Sequence, residues 1–199
     1  MDVTLVLASA SPARRALLEN AGLNVDVVPA RIDESSLKDA LLSQGATPRA
    51  IADTLAEMKA VKVSQKHAAR RVLGCDQVLD LKGEILSKPE TIEEARAQLS
   101  RMRGRAHDLL SAAVICENGA PIWRHVGRAR LTMRSFSDEW LDAYLARNWP
   151  DVAGCVGAYK LESEGVRLFS RIEGDYFTVL GLPLLDVLAF LTLRGDLPQ

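Results

Sequence analysis

Cysteine is too scarce and too scattered in this chain to build a metal site or a disulfide framework. Cys75, Cys116 and Cys155 are the only three, far apart and without a Cys-x-x-Cys pair, and their spacing matches no zinc ligand set. The histidines, His67, His107 and His125, are as dispersed and form no His-Glu-x-x-His motif. A reducing compartment is the simplest setting for such a chain. Charge of one sign is also missing. The formal net charge of -1 excludes a general nucleic-acid or anionic-membrane binder, which carries a basic excess. Local basic clusters at 14–15, 70–71 and 101–105 remain available to small phosphorylated ligands. Long hydrophobic runs are absent too. The most apolar segment, 179–193, is interrupted by Gly181, Pro183 and Asp186, so no membrane span is expected. Ala8-Ser9-Ala10 resembles a signal-peptidase site, but Asp2 stands where a leader is positive and the apolar run before it is too short. These absences predict a soluble, cytoplasmic protein. The familiar nucleotide and nucleophile signatures are missing as well: no GxxxxGK[ST], no GxGxxG after a strand, no GxSxG. Ser35-Ser36-Leu37-Lys38 fits SxxK, but no KTG or SDN accompanies it, and coincidence is the better account.

The chain has 199 residues, 48% hydrophobic and 26% charged. That is enough for one domain, 1–199, with a sizeable core. Its organising stretch is Leu5 to Arg15. The apolar run Leu5-Val6-Leu7-Ala8 reads as a buried strand. It leads into Ser9, Ser11, Pro12 and the pair Arg14-Arg15, and then into the helical spacing of Leu17 and Leu18. Ser11 suits the helix cap and Pro12 the first helical position, whose N–H would have no partner anyway. A strand running into such a helix start, with hydroxyls and guanidinium groups within one turn, favours an anion, and a phosphate chain is the natural one.

Along the chain, Val25–Val28 reads as a second strand, followed by a loop from Pro29 to Glu34. Thr47-Pro48 starts a helix running to about His67, with an inward face of Ala52, Ala56 and Val63 and with Ile51, Leu55 and Met58 alongside. Lys59 falls on that face. Arg71–Leu79 and Glu84–Ser87 read as strands joined by the turn Asp80–Gly83. Asp76 lies mid-strand among apolar residues, a costly place for a carboxylate unless it meets a cation. Thr91 caps a helix ending near Gly104. Leu109–Cys116 and Pro121–Met133 form a hairpin about Asn118-Gly119. A helix from Ser137 ends before Pro150, Gly154–Tyr159 is a small-residue loop, Leu168–Ile172 and the segment around Tyr176 read as strands, and a closing helix begins at Leu184. Crossovers and hairpins together predict an α/β fold with a mixed central sheet flanked by helices.

Asp76 in an apolar strand, Lys59 on an apolar helix face, Lys88 just past a strand end, Glu34 ending a loop and Arg14 at the anion turn are charges in awkward places. Together they suit phosphate chemistry. Acidic groups hold a divalent ion, lysines and an arginine neutralise phosphate oxygens, and a carboxylate orients or deprotonates water.

The pieces LASASPARRALL (7–18), Asp33-Glu34, EMKA (57–60), GCDQVL (74–79), DLKGEILSKP (80–89), GRAH (104–107), GAY (157–159) and EGDYFTVLGLPL (173–184) resemble, in order and spacing, the Maf family of nucleoside triphosphate pyrophosphatases. The resemblance implies a Maf/ITPase-like fold with two lobes around a cleft, a homodimer, and hydrolysis of a nucleoside triphosphate to the monophosphate and pyrophosphate with Mg²⁺ or Mn²⁺. By matching position it makes Asp76 the catalytic carboxylate, Glu34 and Asp76 the metal ligands, and Ser9, Arg14, Lys59 and Lys88 the phosphate contacts. Three positions depart from the branch acting on dTTP and UTP: Ala13, Gln77 and Glu162. Gln77 and Glu162 resemble the branch linked to 7-methyl-GTP. A glutamate accepts from the N1–H and amino group of a guanine edge, and a glutamine offers a donor to the carbonyl oxygen. That branch usually carries an aromatic where Ala13 stands, and Cys155 replaces a common lysine. A dTTP/UTP or broad-range pyrophosphatase, and a regulatory nucleotide-binding protein in division arrest, are the alternatives.

Overall fold

The computed structural model describes residues 4–197. A seven-stranded mixed sheet has the order β2-β1-β3-β5-β6-β7, with β4 paired to β3 off this path. The strands are β1 (Thr4–Leu7), β2 (Asn24–Val27), β3 (Val72–Leu81), β4 (Glu84–Leu86), β5 (Ala106–Glu117), β6 (Ala120–Met133) and β7 (Phe169–Glu173). The helices are α1 (Pro12–Asn20), α2 (Glu34–Ser43), α3 (Pro48–Ser64), α4 (Ile92–Met102), α5 (Asp138–Asn148), α6 (Tyr176–Val179) and α7 (Leu184–Leu193). β1 runs parallel to β2 and β3, whereas β4 on β3 and β7 on β6 are antiparallel. The β5–β6 hairpin turns on Asn118 and Gly119, both at positive φ, as a two-residue turn matched to strand twist requires. The mixed α/β sheet is therefore as expected.

The chain divides into two compact units. The first comprises residues 1–77, 110–127 and 175–199; the second comprises 78–109 and 128–174. In the first, the sheet is covered on both faces. Leu5, Leu7, Leu73, Cys75, Ala113 and Ile115 pack with Leu17 and Leu18 of α1 and Val187 and Leu191 of α7. Val6, Ala8 and Val72 pack with Val63 of α3. Strands buried on both faces read as unbroken apolar runs, which is why LVLA and the VICE end of β5 lack alternation. In the second unit, α4 and α5 lie against each other, tied by Arg96 to Asp142 at 2.6 Å and by Arg103 to Asp138. Leu99, Met102, Leu141, Tyr144 and Leu168 are fully buried there.

Three local expectations are revised. Glu34 does not end a loop; it opens α2, a surface helix with no buried residue, capped by Asp33. The segment around Tyr176 is a single helical turn capped by Asp175, not a strand. Met58 is 36% exposed and off the buried face of α3. Lys59 does lie on that face.

Candidate active site

The α1 end of the site follows from its capping. Ser11 Oγ accepts from the Arg14 N–H at 3.4 Å, and Pro12 fills the first helical turn. Ser9, buried between β1 and α1, accepts from the Ser11 N–H at 3.2 Å and from Arg14 Nη1 at 3.2 Å. Arg14 Nη1 also donates to the Cys75 carbonyl at 3.1 Å and Nε to the Gly181 carbonyl at 2.8 Å. The guanidinium is thus held by a hydroxyl and two carbonyls, and no carboxylate among the described residues neutralises it. An oriented, uncompensated guanidinium at a helix start is a strong phosphate ligand. Gly181 has φ +97, and a Cβ there would come within 3.2 Å of Arg14 Nε and Nη2, so a side chain would both strain the backbone and crowd the guanidinium.

One residue beyond Cys75, Asp76 turns to the other face of β3 and meets α3. Lys59 Nζ donates to Asp76 Oδ1 at 2.6 Å and pairs with Glu34 Oε1 at 2.9 Å. The Lys59 and Asp76 side chains are each 8% exposed, whereas Glu34 is 48% exposed. Burying two charges is tolerable only because they face each other. The close approach of helix to strand has a local cause. A Cβ on Gly74 would sit 2.2 Å from the Ala56 carbonyl oxygen and 2.8 Å from the Ala60 Cβ. Gly74, Ala56 and Ala60 therefore let α3 settle onto β3, placing Lys59 opposite Asp76. Asp33 and Glu34 divide their roles. Asp33 accepts from Ser36 N at 3.1 Å and Ser36 Oγ at 2.8 Å, which holds its carboxyl below the usual range, while Glu34 faces Lys59.

Asp76 Oδ2 accepts from no described residue, so one carboxylate oxygen is left for a water or a cation. Among the described residues no group of three or more His, Cys, Asp or Glu side chains could hold a metal. Asp76 and Glu34, brought to one ammonium, instead fit a hard cation shared with phosphate oxygens, the usual way Mg²⁺ binds. They do not fit an all-protein cage. The Cys75 thiol, fully buried, is pushed up to about 11 mainly by burial and offers no nucleophile at neutral pH.

Gln77 points to the face opposite Asp76. Its Nε2 donates to Ser111 Oγ at 3.0 Å, Thr178 O at 3.2 Å and Val179 O at 3.0 Å. The amide donors expected for a base carbonyl are therefore already committed within the protein. Ala13 is half-buried in the first turn of α1. Lys88 and Glu162 belong to the second unit. Both are exposed, and both act electrostatically on Cys155, whose thiol is raised chiefly by burial. The structure thus joins Ser9 with Arg14, and Glu34 with Lys59 and Asp76, inside one unit. Ser111, a serine in an apolar strand, had no sequence signal; Thr178 and Gly181 lie in the EGDYFTVLGLPL piece, which names no partner for either.

The chain belongs to the Maf family, described as Maf-like protein, whose family model matches residues 4–193. It is 59% identical over 199 residues to the nucleoside triphosphate pyrophosphatase of Roseobacter denitrificans, covering 100% of both chains. It is 59% identical over 195 residues to that of Ruegeria pomeroyi, covering 98% of each. Over 195 residues it is 47% identical to the 7-methyl-GTP pyrophosphatase of Mesorhizobium japonicum, again covering 98% of each.

Proposed function

We propose that the protein hydrolyses a nucleoside triphosphate, with 7-methyl-GTP as the favoured substrate, to the nucleoside monophosphate and pyrophosphate. The observation that carries this reading is the buried Lys59–Asp76 pair, one residue along β3 from the carbonyl that orients Arg14. The full-length similarity to pyrophosphatases supports it.

In this mechanism Arg14 and the Ser9 hydroxyl bind oxygens of the phosphate chain. Lys59 neutralises charge on the phosphates and on Asp76. Asp76 Oδ2 accepts a proton from the attacking water, whose oxygen bonds to the α-phosphorus as the bond to the bridging oxygen breaks and pyrophosphate leaves. A divalent cation, Mg²⁺ or Mn²⁺, held by Asp76 and Glu34 with phosphate oxygens, would supply Lewis-acid stabilisation of the developing charge. Lys88 as a phosphate contact and Glu162 as a base contact carry over from the family resemblance, and Lys88→Ala and Glu162→Gln kinetics test them.

Pyrophosphate release from 7-methyl-GTP, GTP, dTTP and UTP, with Mg²⁺ and with Asp76→Asn alongside, tests the proposal. Release from 7-methyl-GTP that Asp76→Asn loses is the expected result. Preference for dTTP overturns the base assignment. Nucleotide binding without release from any triphosphate leaves a binding protein instead.

A further inference from the structure

We infer that His107 is a positioning residue for base recognition: through Tyr159 it holds the turn at Gly157-Ala158 that presents Glu162 to the base. The inference rests on the reading above in which Glu162 contacts the base, and every residue it uses belongs to the second compact unit.

The turn is one that needs holding. Gly157 and Ala158 both have positive φ, +82 and +57. For alanine that left-handed conformation brings Cβ against its own backbone, and it persists only where the surroundings over-determine it. Around Ala158 they do. Its N–H donates to the Cys155 carbonyl at 3.2 Å, and its carbonyl accepts from Tyr144 Oη at 3.1 Å. Next in the chain, Tyr159 lays its ring back over Gly157, where a Cβ would stand 2.7 Å from Tyr159 Cε1. That ring meets Phe169 edge-on at 4.8 Å, and its hydroxyl lies 2.7 Å from His107 Nε2. Tyr144, Ala158, Tyr159 and His107 are all buried. Burial holds the phenol protonated and the imidazole neutral, so the bond between them is uncharged and shut off from water. His107 Nδ1 has no partner among the described residues. An apolar side chain would avoid the cost of that buried nitrogen; what a histidine adds is one directed bond, which fixes where the Tyr159 ring stops.

Beyond the turn the chain stays tied. The Lys160 carbonyl accepts from the Ser163 N–H at 3.3 Å, and Lys160 Nζ pairs with Asp151 at 2.5 Å. The Lys160 backbone also lies on Gly165, where a Cβ would stand 2.4 Å from its carbonyl oxygen. Glu162 falls between these ties, exposed, and its charge reaches the Cys155 thiol at the start of the turn, as does that of Lys88. The place of Glu162 is therefore set by a short segment whose buried end is the Tyr159–His107 bond.

Loosening the support of a base contact changes the ratio between substrates and leaves a ligand without a base untouched. Tyr159→Phe and Tyr144→Phe each keep the ring and remove one hydroxyl. Each should lower the ratio of kcat/KM for 7-methyl-GTP to that for dTTP by about 3- to 10-fold, the effect of one hydrogen bond. Calorimetric binding of inorganic tripolyphosphate should stay within about 2-fold of wild type, because Ser9, Arg14, Lys59 and Asp76 take part in none of these bonds. His107→Gln, whose amide reaches as far as Nε2, should hold the ratio within about 2-fold, whereas His107→Leu should lower it as Tyr159→Phe does. Added to Glu162→Gln, Tyr159→Phe should lower the ratio no further, since one removes what the other supports. Should His107→Leu fail to fold, the two tyrosine variants, which keep the core volume, decide the matter. If Glu162→Gln lowers the ratio and neither tyrosine variant does, the inference fails and the base contact stands. If Glu162→Gln leaves the ratio unchanged, the base contact fails and takes the inference with it. Tripolyphosphate binding that falls as far as kcat/KM falls for both nucleotides would make the turn a general scaffold and overturn the inference. A wild-type protein that binds triphosphates without cleaving them sinks the proposed activity, and the same comparison is then read from the ratio of calorimetric Kd values for the two nucleotides.

Discussion

Lys59 and Asp76 are buried to the same degree but are not equally dispensable. Asp76→Asn leaves the Lys59 ammonium paired with Glu34, which is half in water. Lys59→Met strands a carboxylate that is 8% exposed and has no other described cation within ion-pair distance. Breaking a buried pair from that side typically costs about 3–5 kcal/mol. Urea unfolding should therefore show Lys59→Met several kcal/mol less stable than wild type and Asp76→Asn much closer to it, although both lose pyrophosphate release. Equal destabilisation would make Asp76 a structural partner first. A second buried residue gives a pH prediction. His107 Nε2 lies 2.7 Å from Tyr159 Oη, its Nδ1 has no partner among the described residues, and its ring meets Phe169 at 6.0 Å. Burial pushes the imidazole down to about 4, against an opposing pull from Asp108. The unfolded chain takes up that proton near its ordinary value of about 6.5. Stability from this residue is thus complete above that pH and drains away as pH falls toward about 4. Between pH 7.5 and pH 5 wild type should lose about 2 kcal/mol that His107→Gln does not lose. Parallel losses in urea titrations at the two pH values would show that His107 is not the group responsible.

At the scale of elements, the helix–strand contact between α3 and β3 sets the geometry of the candidate site. Gly74→Ala introduces a carbon that would stand 2.2 Å from the Ala56 carbonyl oxygen, so α3 must back away. Overpacking of this kind costs about 1–3 kcal/mol. Because Lys59 rides on the displaced face, turnover should fall as well, by more than the stability loss alone would cause at 25 °C. A Gly74→Ala protein with full activity would show that the helix position does not govern Lys59. What was legible in the sequence divides along the same line. Thr47-Pro48 and Ser11-Pro12 announced their helices because caps are local chemistry. Lys59 and Asp76 stood out because a charge on an apolar stripe needs a partner, although the partner's identity came only from the resemblance and the fold. The α2 helix was not legible: no residue of ESSLKDALLS is buried, so the short Leu37–Leu41 spacing marks no core face, and Asp33 gave no sign of being its cap. Tyr176 and Phe177 favoured a strand by aromatic propensity, and the Asp175 bonds to Thr178 N at 2.8 Å and Thr178 Oγ1 at 2.5 Å overrode it. The hydrogen bonds of Gln77 go to carbonyls about a hundred residues away, beyond any local pattern.

For the whole molecule, the question is whether the two compact units behave as one folding entity. The chain passes between them four times, within β3, β5 and β6 and again at Gly174-Asp175. Neither unit is a continuous segment. A strand such as β3, whose residues 72–77 belong to one unit and 78–81 to the other, is one backbone ladder, and losing it removes hydrogen-bond partners on both sides of the boundary. The expectation is one cooperative transition. The tryptophans make this measurable, since Trp123 lies in the first unit and Trp140 and Trp149 in the second. Trp123→Phe leaves fluorescence reporting only the second unit, and Trp140→Phe with Trp149→Phe leaves only the first. Each variant's fluorescence midpoint in urea should coincide with its own circular-dichroism midpoint. A fluorescence transition that precedes the loss of secondary structure in either variant would show that one unit melts while the other stands. The shared strands would then join two domains, contrary to a single 1–199 fold.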